Sequence, residues 1–117
     1  MNYSDNLKLA VAAAINAGNE IMKIYESDDF DVETKGDDSP LTKADKASHY
    51  VICEALASSG LPLLSEEGAQ IPFEERFTWS CFWMIDPIDG TKEFIKKNGE
   101  FTVNIAMIQN GLPVMGV

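Results

Sequence analysis

Apolar residues recur at spacings of three and four between residues 6 and 25. Leu7, Ala10, Val11, Ala14, Ala17, Ile21 and Met22 draw one stripe along a predicted helix. Ser4 is placed to cap it, and Asp5 suits the positive end of the helix dipole. Gly18 costs about 1 kcal/mol relative to alanine in a helix interior. With Ala10, Ala14 and Ala17 it predicts close packing against another element. Residues 30–35 (FDVETK) read as a short strand and 36–40 as a turn. A second helix over 42–58 turns Ala47, Val51, Ile52, Ala55 and Leu56 inward and ends at Gly60, in the manner of a C′ glycine.

The second half of the chain changes period. Residues 61–65 form a short apolar run that stops at Glu66-Glu67-Gly68, and 71–78 read as a surface loop. Cys81-Phe-Trp-Met-Ile85 is apolar throughout and predicts a buried strand, again ending on an acid, Asp86. Residues 90–97 suit a short helix and 101–108 a strong strand. Asn110-Gly111 signals a tight hairpin turn, with 112–117 returning. The pattern predicts an α+β unit, two helices followed by largely antiparallel strands. The return strand stops on an apolar residue with no polar cap, leaving a hydrophobic edge. The expectation is that these residues are the first part of a longer protein.

Composition narrows the class. The chain has 117 residues, 45% of them hydrophobic, and a formal charge of −10. That is one ordinary domain, able to bury a core without disulfides. Two cysteines with no CxxC argue against a disulfide framework or a structural zinc site, and make a reducing, cytoplasmic compartment the default. No apolar run is long enough for a transmembrane helix. The acidity disfavours polymeric nucleic acid as a partner. A small anionic ligand stays open if a cation or backbone N–H groups receive it.

Two strands that end on acids carry the chemistry. Glu66 and Asp86 each follow an apolar run, and Asp89 follows within Asp86-Pro87-Ile88-Asp89-Gly90-Thr91. Pro87 fixes φ and Gly90 permits angles other residues avoid, so the turn can aim both aspartates and the Ile88 carbonyl at one point. Two unit charges 4 Å apart repel by about 4 kcal/mol at an effective dielectric near 20. Gathered carboxylates therefore need protons or a cation. All the ligands are oxygens, so the cation is hard: magnesium first, manganese or calcium next. For any one of these acids alone, a turn former or solvated loop residue is the commoner role. A calcium EF-hand starting at Asp89 fails because its sixth position is Phe94 rather than glycine.

Other candidates have plainer readings. Thr42-Lys-Ala-Asp45 matches a capping box, which makes Asp45 a helix cap. Thr91 is a natural N-cap, and the N–H groups of its helix with Lys92 would make a phosphate-binding corner. His49, the one histidine, precedes Cys53 by four residues; a metal pair or Cys-His dyad lacks a third partner at useful spacing, and packing is commoner. No P-loop, G-x-G-x-x-G or G-x-S-x-G is present.

Trp83-Met-Ile-Asp86-Pro-Ile-Asp89-Gly-Thr91 resembles the inositol-monophosphatase superfamily of metal-dependent, lithium-sensitive phosphatases. The extension Lys92-Glu-Phe-Ile-Lys96 and Asn98-Gly-Glu-Phe-Thr-Val-Asn-Ile-Ala106, with Ser39-Pro-Leu-Thr-Lys-Ala-Asp45 and Leu64-Ser-Glu-Glu67 upstream, is similar to bacterial 3′(2′),5′-bisphosphate nucleotidases of the CysQ type. The resemblance implies the layered α/β/α/β/α sugar-phosphatase fold. It also implies hydrolysis of 3′-phosphoadenosine 5′-phosphate to AMP and phosphate, a step linked to sulfate assimilation. The implied cofactor is Mg2+, two or three ions, with Mn2+ possible. The implied metal ligands are Glu66, Asp86, Asp89 and the Ile88 carbonyl. Asp45 and Thr91 would pair to orient the attacking water, which sets the resemblance against a capping-only Asp45. Gly90 and Thr91 would contact the scissile phosphate, beside Glu66, Ile88, Asp89 and Lys92 in the substrate site. The family places a further aspartate ligand and most of the nucleoside pocket in a C-terminal half that these residues do not include. The expectation is a 1–117 metal-binding part with little activity alone. The alternatives are an inositol or fructose-bisphosphate phosphatase, or a non-catalytic metal-binding domain. For a cytoplasmic protein, the resemblance leaves a peripheral place at the inner membrane open.

Overall fold

The computed structural model describes residues 2–117. Helix α1, Tyr3–Ser27, starts two residues earlier than Ser4 would allow as its cap. Asn2 caps it instead, its side-chain oxygen accepting from the Asp5 N–H at 2.9 Å. Ala10, Ala13, Ala17 and Ile21 form its buried line. Leu7, Val11 and Met22, expected on that face, are about two-fifths exposed. The buried line is narrower because alanine lets helix α2, Lys43–Leu56, lie against α1. Gly18 takes no part in that approach: a Cβ built there meets nothing within 4 Å.

Only Glu33–Thr34 of the expected first strand is regular. This β1 pairs antiparallel with β2, Pro40–Leu41. Phe30 is buried, and its carbonyl accepts from the Lys43 N–H at 2.9 Å, seating the start of α2. A 3-10 turn, Ala57–Ser59, follows α2 and ends at Gly60 with φ 72°.

Strand β3, Leu63–Ser65, opens a four-stranded sheet of order β3-β4-β5-β6. Strand β4 is Cys81–Asp89, β5 Thr102–Gln109 and β6 Leu112–Gly116. Strands β3 and β4 run parallel; the other neighbours are antiparallel. Between β3 and β4 the expected loop contains a short helix, α3 (Phe73–Arg76). Helix α4, Thr91–Lys96, follows β4. Asn110 and Gly111 both take positive φ, 51° and 81°, as the tight hairpin requires.

Two clusters hold these layers together. Ala10, Ala13 and Ala17 of α1 with Ile52 and Leu56 of α2 cover Trp83, Ile85, Ile105 and Met107 of the sheet. The Trp83 Nε1–H donates to Ser59 Oγ at 2.9 Å, so the ring is buried without losing its hydrogen bond. The second cluster joins Ile21, Phe30, Ala44, Ile88 and Phe94 beneath the β4–α4 junction, with Tyr25 stacked on Phe30. β4 is not buried throughout. It alternates, and Met84 is 44% exposed on the face opposite the helices.

Candidate metal and phosphate site

Leu63, Leu64 and Ser65 lie beside Trp83, Met84 and Ile85 in the parallel ladder. Parallel strands leave the sheet at the same end. Glu66, the first residue past β3, therefore arrives next to Asp86, and its N–H donates to the Ile85 carbonyl at 3.0 Å. Beyond Asp86, Pro87 has no N–H to give, and the register with β5 shifts until Asp89 pairs with Thr102. The shifted segment is clamped: Pro87 and Ile88 are buried, and Ser48 of α2 donates its hydroxyl to the Pro87 carbonyl at 2.8 Å.

Glu66, Asp86, Ile88, Asp89, Gly90, Thr91 and Lys92 line one cavity of about 220 Å³, completed by Lys35, Ser39, Pro40 and Glu93. An apolar hollow of about 690 Å³, lined by Leu64, Met84, Ile85, Ala106 and Val117, adjoins it at Glu66 and Asp86. The structure thus brings together the acids, the turn and the basic residue singled out in the sequence. Among the described residues no three His, Cys, Asp or Glu side chains close into a ready-made cage.

Asp86 is the electrostatic anomaly. Its Oδ1 is buried without a hydrogen-bond partner. Burial pushes its carboxyl up to about 7, helped by the hydrogen bond its protonated form can make to Glu66 and by the charges of Glu66, Asp89 and Glu67. An orphaned carboxylate oxygen, with Glu66, Asp89 and Ile88 lining the same cavity as further oxygen ligands, fits a hard divalent cation. Asp89 is exposed, its Oδ2 accepting a long 3.4 Å bond from Asn104 Nδ2.

Asp45 is the opposite case. It is fully buried. Its Oδ2 accepts from the Thr42 N–H at 2.8 Å and the Thr42 hydroxyl at 2.6 Å, completing the capping box. Its Oδ1 accepts from the Thr91 hydroxyl at 2.9 Å. The capping role and the pairing with Thr91 coexist, one oxygen each. Thr91 itself is not the N-cap. Gly90 occupies that position with φ 97°, and Thr91 is the first helical residue. A Cβ at Gly90 would lie 2.8 Å from the Glu100 carbonyl oxygen, so only glycine fits.

Two features of the site had no sequence signal. Lys35 pairs with Glu67 at 2.6 Å and reaches Glu66 at 3.6 Å. Burial works to lower its pKa, but the Glu67 hydrogen bond and the charges of Glu67, Glu66 and Asp45 outweigh it, and the net shift is upward. Thirty-two residues separate Lys35 from Glu67, too far for any local pattern. The other is Ser48, a polar residue on a buried helix face. His49 and Cys53 do meet, with Sγ 3.6 Å from Nδ1, but burial raises the thiol pKa, so this is not an activated thiolate.

A sequence model described as the inositol monophosphatase family matches residues 2–117. The chain belongs to the inositol monophosphatase family. Among relatives it is 50% identical over 107 residues to the 3′(2′),5′-bisphosphate nucleotidase CysQ of Escherichia coli strain K12, covering 89% of this chain and 43% of that protein. It is similar to the crystal structure of CysQ from Bacteroides thetaiotaomicron, with TM-score 0.85 and 49% identity over 98% of this chain and 42% of that one. The suhB protein of Bartonella henselae has TM-score 0.82 at 28% identity, over 97% of this chain and 43% of that one. The chain thus spans under half the length of each of these relatives. Among the described residues no helix is long and apolar enough to cross a membrane.

Proposed function

We propose that the full-length protein is a magnesium-dependent phosphatase that removes the 3′-phosphate of 3′-phosphoadenosine 5′-phosphate, giving AMP and phosphate in sulfur assimilation. Residues 1–117 are its metal-binding part, in a cytoplasmic enzyme, and have little activity alone. The observation that carries the reading is an acid cavity that holds an orphaned Asp86 oxygen and is also lined by Thr91, whose hydroxyl is bonded to the buried Asp45 behind it. The nucleotidase relatives at about half identity support the substrate over inositol phosphates.

Glu66, Asp86, Asp89 and the Ile88 carbonyl would hold the ions. Bound there, divalent cations would neutralise phosphate oxygens and make a water more acidic. The chain's own residues set the geometry. The Thr91 hydroxyl spends its one proton on Asp45, so its oxygen can only accept, and a water beside it must point a proton at Thr91 and a lone pair away. Asp45 is held by the start of α2 and cannot turn from that task. Gly90, where a Cβ would collide with the Glu100 carbonyl, allows the turn that puts its own backbone and Thr91 in the cavity wall, where a phosphate would sit. Lys92 stands at the rim as a cation for the substrate's phosphate groups.

Phosphate release from 3′-phosphoadenosine 5′-phosphate, inositol monophosphate and fructose 1,6-bisphosphate by the full-length protein decides the substrate. The expected result is a clear preference for the nucleotide; a preference for either sugar phosphate replaces this reading with that one. Release from the nucleotide by residues 1–117 alone, at the full-length rate, overturns the division of the site.

A further inference from the structure

Glu66 is half exposed at its side chain, and its one cationic contact is the 3.6 Å approach to Lys35. The point from which such a side chain starts is set by its backbone. That backbone is a tight turn, closed by the Gly68 N–H donating to the Ser65 carbonyl at 3.0 Å. Behind the turn stands His49 of α2. Its Nδ1 shares a 2.8 Å hydrogen bond with Ser65 Oγ, and its Cε1 lies against Gly68, 3.4 Å from where a Cβ would be. The ring is itself held, with Cys53 Sγ at 3.6 Å and Tyr50 edge-on at 5.6 Å between centroids. Ser65, the last residue of β3, bonds to His49 of the helix, while Glu66, the first residue of the turn, lines the acid cavity. One peptide unit joins them, and whatever rotates Ser65 re-aims Glu66.

We propose that His49 is a positioning residue: through Ser65 it fixes the turn that aims the Glu66 carboxylate into the acid cavity. The inference rests on Glu66 being a metal ligand, as proposed above. A residue that only filled space could be apolar; this one makes a directed bond to the residue preceding the ligand. Partners hydrogen-bonded directly to a metal ligand are worth about 10–100-fold in metal affinity, and a partner acting one residue away belongs at the low end of that range.

The test is calorimetric titration of the full-length protein with magnesium alone, alongside melting temperature. His49→Leu keeps the volume and removes the bond, and is expected to weaken magnesium binding about tenfold. Ser65→Ala should reproduce the loss, and the double variant should be no worse than either single one. His49→Asn, which keeps a donor near the Nδ1 position, should recover most of the affinity. A purely structural histidine predicts a lower melting temperature with the binding constant within twofold of the parent, and that result overturns the proposal, as do additive losses in the double variant. Should His49→Leu fail to fold, Ser65→Ala alone decides by the same criterion. Glu66→Gln separates the two levels: unchanged magnesium binding there removes the underlying metal reading, whereas a loss there without one in Ser65→Ala removes only the role of His49.

Discussion

Asp45, fully buried behind Thr91, and Asp86, half-buried in the wall of the acid cavity, each hold a carboxylate oxygen out of solvent, yet they do so in opposite ways. Asp45 receives three donors, from the Thr42 N–H, the Thr42 hydroxyl and the Thr91 hydroxyl. Its charge is balanced inside the fold. Asp86 has an oxygen without any donor, and acids for neighbours. Its charge is balanced only by something added, a proton or a cation. Stability is built into the first corner and withheld from the second, which is the usual division between a scaffold and a site that must exchange its ligand.

The sharpest way to break the comparison is to neutralise each acid. Asp86→Asn should cost the full-length protein about a thousandfold or more in phosphate release, equivalent to about 4 kcal/mol of transition-state stabilisation. Without metal the same variant should melt higher than the parent, because the repulsion among Glu66, Asp86 and Asp89 is relieved. Asp45→Ala should do the reverse to stability. It leaves the α2 cap and the Thr91 hydroxyl unpaired, and should lower unfolding free energy by about 2–3 kcal/mol in urea titration. If both variants shift stability in the same direction, the contrast is wrong.

Acidity sharpens it further. The folded Asp86 carboxyl titrates near 7 and the unfolded one in the ordinary range near 4. Between those values the folded state binds more protons than the unfolded state. The stability of the metal-free protein should therefore fall as pH rises from about 4 to about 7 and contribute no further slope above that. Asp86→Asn should flatten this part of the profile, and Asp45→Ala should leave it in place. The smallest effect belongs to the link between the corners. Ser48→Ala removes the bond to the Pro87 carbonyl and should cost about 1 kcal/mol, read as a lower denaturation midpoint.

Much of the scaffold corner was legible in the sequence because its interactions are local. Thr42 and Asp45 are three residues apart, and the Asn110-Gly111 turn declares itself in two. The acid turn was legible for a different reason: apolar runs that stop on Glu66 and Asp86 mark where strands end. Contacts between distant segments were not legible. Ser48 meets Pro87 across 39 residues and His49 meets Ser65 across 16, pairings set by how α2 crosses the sheet. The buried face of α1 was misjudged in part because periodicity counts apolar residues without knowing how wide the partner is. Leu7, Val11 and Met22 belong to the apolar stripe but lie outside the strip that α2 and the sheet cover. Ser4 was displaced as a cap by Asn2, a shift of the kind helix ends commonly show.

The parallel pairing of β3 and β4 has a consequence for how the gene can vary. The acids are set side by side by ladder hydrogen bonds between Leu63–Ser65 and Trp83–Ile85, not by the segment that carries the chain back from one strand to the other. Past Gly68 that return segment takes no part in the ladder. Residues inserted or lost around α3 should leave the spacing of Glu66 and Asp86 untouched, so length polymorphism can accumulate there while the acid edge stays in register.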